Sequence, residues 1–194
     1  MAKIWVDCDE VLSETIDEIL KRWVFKWKNI KKTDINSYFL RDVKKLNITK
    51  EIGIEQFFWF FASDDFFKTK PVKWALKKLK ELKKQWHKLY VVTARAEQFK
   101  DKTIERVNTH FPWIFSGFLF MNQFKQNEVS KSKLCKDLWI EILIDDSVNN
   151  LKDINSAWIP WILLDKPWNR GVEDSELLKR VDSRDDVDIS YFIK

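Results

Sequence analysis

From Pro71 onward, short apolar runs alternate with amphipathic stretches of about ten residues, and this constrains the chain more than any other feature of its 194 residues. Val72 to Gln85 carries apolar side chains at Trp74, Ala75, Leu76, Leu79 and Leu82 with lysines between them. That spacing predicts a helix opened by a proline. Leu89 to Val92 reads as a buried strand, Glu97 to Thr109 as a helix, and Phe118 to Met121 as a strand. A helix over Val129 to Leu138, a strand over Glu141 to Ile144, a short helix over Asn149 to Asn155, a strand over Trp158 to Leu164 and a helix over Ser175 to Val181 follow. Ile4 to Val6 supplies one further strand ahead of them. Strands joined by helices of this length require right-handed crossovers, so the expected class is α/β, with a parallel sheet covered by helices on both faces.

Between the first strand and Pro71 the pattern changes. Residues Glu14 to Lys70 show helical spacing and dense aromatic patches at Phe57-Phe58-Trp59-Phe60-Phe61 and Phe66-Phe67. One core built from 1–13 and 71–194, with a small helical insertion at 14–70, is the expected division. The length suits a single core with one appendage.

The charged residues constrain partners. There are 35 basic and 30 acidic residues, a formal charge of +5, and the lysines are spread over the predicted helices. Solvated helix faces account for them, and no nucleic-acid surface is expected. Cys8 and Cys135 are too few and too far apart for a disulfide framework or a zinc cluster. No apolar run approaches membrane-spanning length or forms a leader, and the expected compartment is the cytoplasm, with no membrane partner.

In a parallel sheet the ligand sits at the carboxyl ends of the strands. Here those ends read Asp7-Cys8-Asp9, Thr93-Ala94-Arg95 and Asp145-Asp146, with Lys131 opening the helix before the fourth strand. Carboxylates converging on one crevice repel each other unless a hard cation or a lysine neutralises them, so an oxygen-rich magnesium site is the economical solution. Taken singly, these residues have plainer readings. An Asp-x-Asp can be a solvated turn, Thr93 can cap the following helix, and Arg95 can contact a phosphate, contact the insertion or form a surface ion pair. Cys8 should pack into the core, and neither His87 nor His110 is assigned to chemistry.

Together the segments resemble the haloacid dehalogenase superfamily of phosphotransferases. Asp7-Cys8-Asp9-Glu10-Val11-Leu12 is similar to its first motif, Val91-Val92-Thr93 to the second, Lys131 to the third and Ile144-Asp145-Asp146 to the fourth. The insertion and the segment Asp165 to Gly171 resemble the 5'(3')-deoxyribonucleotidase-like branch. The resemblance implies a Rossmann-like core in which 14–70 forms a cap. It implies an aspartyl-phosphate on Asp7, proton transfer by Asp9, and phosphate binding by Thr93, Ala94 and Lys131, with Lys133 as the less favoured lysine. Magnesium would be held by Asp7, the Asp9 carbonyl and Asp145, with Asp146 in support. The substrate would be a small phosphate ester, a nucleoside monophosphate in that branch. The aromatics of 14–70 can stack a base or form that segment's own core. Alternatives are a phosphatase for another small phosphometabolite and a non-enzymatic phospho-accepting module, which the Asp-x-Asp spacing and the insertion disfavour.

Tryptophan usage is anomalous, with 11 Trp against 3 Gly, where average usage near 7% would give about 14 Gly in this length. Trp86 and Trp139 follow predicted helices where a left-handed glycine is usual. The resemblance also leads to glycine at Trp5, Trp74, Trp113, Trp158 and Trp161, and to tryptophan at Arg106 and Arg184. A variant genetic code, with a glycine codon read as tryptophan and a tryptophan codon read as arginine, is the expectation, and it carries a risk of impaired folding and activity.

Overall fold

The computed structural model describes every residue except 23, 24, 26, 27, 123–129, 150–153, 155, 183–186, 193 and 194. Six parallel strands form one sheet: β1 (Lys3–Val6), β2 (Lys88–Thr93), β3 (Phe115–Phe120), β4 (Ile142–Asp145), β5 (Trp161–Leu164) and β6 (Leu178–Val181), in the order β3-β2-β1-β4-β5-β6. Among the described residues the longer α-helices are α1 (Thr15–Ile19), α2 (Lys50–Ala62), α3 (Ala75–Lys84), α4 (Lys100–His110) and α5 (Lys131–Leu138). The α/β class and parallel sheet expected from the alternation are therefore present.

Strand pleating sorts the core into two layers. Ile4, Val6, Leu89, Val91, Ile142, Ile144, Ile162 and Leu164 pack on one face, together with Cys8. Trp5, Val92, Leu143, Trp161 and Leu163 pack on the other. Successive side chains on a strand point to opposite faces, so Cys8 is buried on the face away from its two aspartate neighbours. Burial pushes its thiol pKa up to about 12, which leaves it protonated and inert.

Two sequence expectations need correction here. Ser175 to Val181 is not a helix, because Leu178–Val181 adds to the sheet edge as β6. Leu178 and Val181 are both buried, one on each face of the sheet. Residues three apart lie on one side of a helix but on opposite sides of a strand, and the available core therefore selects the strand. The fifth strand begins at Trp161 rather than at Trp158, whose φ of +56° has no place in a pleated strand. Most of the expected helix over 149–155, residue 129 and Arg184 lie outside the described residues.

The segment between β1 and β2 builds its own apolar cluster from Ile19, Phe25, Ile35, Leu46, Phe60, Phe61 and Phe66, joined by Ala96, Phe99 and Trp168. Phe60, Phe61 and Phe66 meet at ring-centroid distances of 5.5 to 6.1 Å, so these aromatics serve as packing. Phe57 and Phe58 are only half-buried and remain available to a ligand.

His87 anchors the start of β1, its Nδ1 accepting the Ala2 N–H at 3.0 Å. Burial and the nearby amino terminus hold its pKa below the ordinary value. A lowered histidine pKa means that the unfolded chain binds more protons between the folded value and about 6.5. Its stabilising contribution is thus complete above about pH 6.5 and is lost as pH falls towards the folded value. The melting temperature should fall more steeply between pH 7.5 and 5.5 in the parent than in His87→Gln, and parallel curves would exclude this role.

Candidate active site

Asp7 follows β1 directly, its N–H donating to the Ile144 carbonyl at 2.9 Å, while Asp145 ends β4 and Asp146 follows it. Because β1 and β4 are hydrogen-bonded neighbours in register, Asp7 and Asp145, far apart along the 194-residue chain, meet at one sheet rim. Carboxylate oxygens of Asp7, Asp145 and Asp146 all lie within 4.8 Å of one another, and all three residues are buried. Burial, then the charge of Asp145, raises the Asp7 pKa well above the ordinary carboxylate range, against the pull of Lys131. Burial and Asp145 do the same to Asp146, opposed by Lys166 and by the Trp168 hydrogen bond.

Lys131 is buried at the start of α5 and its Nζ is paired with Asp145 Oδ2. Burial alone would lower its pKa, but Asp145 and Asp7 outweigh that and raise it, which keeps the ammonium charged. Lys133 is exposed. Thr93 ends β2 fully buried, with its Oγ1 accepting the Arg95 N–H at 3.3 Å, and Ala94 lines the cavity beside it.

Asp9 turns its carboxylate elsewhere. Both oxygens are gripped by Arg95, Nε to Oδ2 at 3.0 Å and Nη2 to Oδ1 at 2.6 Å, and Thr15 Oγ1 donates to Oδ1 at 2.5 Å. The acidic trio thus contains Asp146 and omits the Asp9 side chain. Arg95 is buried, so of the three readings open to it the surface ion pair does not apply.

The segment after β5 supports this rim. Trp168 Nε1 donates to Asp146 Oδ2 at 2.7 Å, and Asn169 Nδ2 donates to the Asp146 carbonyl at 2.8 Å and to the Leu164 carbonyl at 2.7 Å. A cavity of ≈ 150 Å³ is lined by Asp7, Asp9 and Asp146 together with Ile16, Tyr38, Phe39, Phe57, Phe58 and Phe61. Such a site pairs an acidic end, which attracts a cation, with a flat and apolar end.

A profile of the family described as "5' nucleotidase, deoxy (Pyrimidine), cytosolic type C protein" matches residues 1–191. The chain belongs to that family. It is accordingly an enzyme, a phosphatase acting on a small phosphorylated substrate. A search of curated proteins gave no match. Solved structures share the fold at low identity. A predicted phosphatase from Clostridium acetobutylicum has TM-score 0.63 and 16% identity, over 87% of each chain. A haloacid dehalogenase-like hydrolase from Streptococcus pneumoniae has TM-score 0.65 and 11% identity, over 88% of each. A predicted phosphoglycolate phosphatase from Haemophilus somnus has TM-score 0.60 and 17% identity, over 94% of this chain and 95% of that one. Among the described residues no helix is long and apolar enough to cross a membrane.

Sequence reasoning missed several residues of this candidate site. Glu10, with φ +62°, is buried and pairs with Lys32 of the insertion at 2.5 Å, and Lys166 approaches it at 3.9 Å. Tyr38 reaches the cavity from the insertion, and burial raises its phenol pKa. Neither Lys32 nor Tyr38 sits in a pattern that marks it, because the irregular path of the insertion alone brings them to the rim.

Proposed function

We propose that this enzyme hydrolyses nucleoside monophosphates through an aspartyl-phosphate on Asp7, with magnesium held at the acidic trio. The observation that carries this reading is the buried cluster of Asp7, Asp145 and Asp146, two of which, Asp7 and Asp146, share a cavity with aromatic side chains, with Lys131 as its neighbouring cation. Three carboxylates against one ammonium leave a net negative pocket that a dianionic phosphate would not enter unaided. An all-oxygen donor set fits a hard divalent ion, with the Asp9 carbonyl as a further donor. When bound, magnesium would screen the phosphate charge and orient it.

The remaining chemistry falls to the chain. An oxygen of Asp7 attacks phosphorus, the bond from phosphorus to the ester oxygen breaks, and Asp9 gives that oxygen a proton. Asp9 then takes a proton from water as the water oxygen attacks phosphorus, which releases inorganic phosphate and frees Asp7. Lys131 and the Thr93 hydroxyl would hold phosphate oxygens, and the Ala94 backbone would line the same seat. The half-buried aromatics Phe57 and Phe58, with Tyr38, would face the base. Residues 14–70 would act as the cap over this site, with 1–13 and 71–194 as the core.

Phosphate release from a panel of nucleoside monophosphates, sugar phosphates and other phosphomonoesters, with and without magnesium, tests the assignment. Preference for sugar phosphates would reject the nucleotide reading, and full activity in chelator would reject the metal. Binding at about 100 times Kd stabilises a fold by about 2.7 kcal/mol, which is roughly 5–10 °C for a chain this long. Magnesium should therefore raise the melting temperature by about that amount, and Asp145→Asn should remove the shift. An equal shift in Asp145→Asn would place the ion elsewhere.

A further inference from the structure

We propose that Arg95 is the positioning residue for Asp9, a role resting on the reading of Asp9 as the proton carrier. The guanidinium plane makes a two-pronged contact to both oxygens of that carboxylate. Its third side, Nη1, donates to Thr103 Oγ1 of α4 at 3.1 Å. Its face lies 4.4 Å from the Phe61 ring of α2 and 4.8 Å from the Phe66 ring centre. One buried side chain thus joins the proton carrier, a core helix and the aromatic cluster of the insertion. A planar fork stacked on rings has few orientations, and it fixes the direction of the carboxylate: Nη2 and Thr15 both donate to Oδ1, so Oδ2, with the Nε donor, keeps a lone pair for the proton. A loose acid or base misses the proton it must move, and a misplacement of about 1 Å can cost about 100-fold.

The two half-reactions separate this role from simple support of the fold. Breaking the ester of an alkyl phosphate needs the proton from Asp9, whereas p-nitrophenolate leaves without one, and kcat/KM reports only steps up to that departure. Arg95→Met should lower kcat/KM for a nucleoside 5'-monophosphate by about 100-fold while leaving that for p-nitrophenyl phosphate nearly unchanged. Turnover of p-nitrophenyl phosphate should then show a burst of one nitrophenolate per enzyme, because activation of water still needs an oriented Asp9. Arg95→Lys keeps the charge without the fork and should retain most of the bias. Thr103→Val, of similar shape, should show it in smaller measure and carries the test if Arg95→Met does not fold. Equal losses on both substrates, no loss, or full recovery in Arg95→Lys would overturn the proposal. Turnover surviving in Asp7→Asn would instead overturn the reaction scheme, whatever Arg95 does.

An independent observation concerns the tryptophans. Among the described residues eight non-glycines have positive φ: Asn29, Asn47, Asn122, Glu10, and Trp86, Trp113, Trp139 and Trp158, the tryptophans at +68°, +64°, +57° and +56°. Asparagine tolerates that region and tryptophan does not. The four indoles are 81%, 92%, 78% and 75% exposed, so no packing explains them. After α3, Trp86 N–H donates to Lys83 O and His87 N–H to Leu82 O; after α5, Trp139 N–H donates to Lys136 O and Ile140 N–H to Cys135 O. Both are the helix-ending pattern that takes glycine at its left-handed position. Trp5 and Trp161 are fully buried with their indole N–H unpartnered. Arg106 is buried with Nη2 unpartnered, and its Nε donates to Thr69 Oγ1 at 3.1 Å, a single donor that an indole can replace. We infer that glycine is encoded at the four left-handed positions and at Trp5 and Trp161, and tryptophan at position 106. The gene should carry one shared codon at 86, 113, 139 and 158 that differs from the codon of Trp168, and peptide masses from the source organism should read glycine there. An ordinary UGG codon at those four positions, or tryptophan masses, would overturn it.

Discussion

Asp7→Asn should abolish turnover without weakening the fold. In the proposed scheme the substitution removes the nucleophilic oxygen charge, and loss of a nucleophile costs about 10⁴-fold or more, beyond roughly 5 kcal/mol of transition-state stabilisation. The same side chain is a liability to the resting protein. Burial and the Asp145 charge both oppose its ionisation, and the neutral amide of similar shape escapes both. Phosphate release in Asp7→Asn should therefore fall to background while its melting temperature in chelator equals or exceeds that of the parent. Such an opposition marks a group kept for chemistry at the expense of stability. Turnover within tenfold of the parent would remove Asp7 from the reaction, and a lower melting temperature would make it a structural residue.

Replacing Trp86, Trp113, Trp139 and Trp158 together by glycine should stabilise the protein. A non-glycine residue in the left-handed region costs roughly 1–2 kcal/mol, and glycine gives back about 0.4–1 kcal/mol through the freedom of the unfolded chain. The net gain is thus about 0.5–1 kcal/mol at each site, because these exposed indoles have little packing to lose. Each tryptophan is the left-handed residue of its own turn, so the strain at each is relieved separately and the effects should add. The sum, about 2–4 kcal/mol, corresponds to roughly 5–15 °C in melting temperature. Trp168 provides the contrast. Its indole N–H holds Asp146, a member of the proposed magnesium site, and Trp168→Phe should lower both magnesium affinity and activity. A quadruple variant that melts at or below the parent temperature would show that these backbone positions are not the strained ones.

The acidic rim was legible because sheet geometry converts sequence position into spatial position. Asp7, Asp145 and Asp146 each stand at the end of an apolar run, and parallel strands deliver such ends to one edge. The buried lysine was legible for the same reason, since Lys131 opens the helix that leads into β4. Arg95 was visible as a candidate but its role was not. Its partners Asp9, Thr103, Phe61 and Phe66 come from four separate segments, and no spacing rule relates them. The strand at Leu178–Val181 was misread as helix because four residues with two apolar ends fit either period, and only the exposed edge of β5 decides between them.

The order of apolar runs and the residues that close them determined, without coordinates, the parallel α/β architecture, the rim at which Asp7, Asp145 and Asp146 gather and the acidic character of that rim. These depend on periodicity and on which residues flank it, both local properties of the chain. Tertiary structure alone decided that Asp9 faces Arg95 rather than the acidic trio, that Trp168 steadies Asp146, and that Tyr38 and Lys32 descend from the insertion. Those contacts join segments whose separation along the chain carries no record of their distance in space, and they arise only when the two apolar layers and the aromatic cluster have packed.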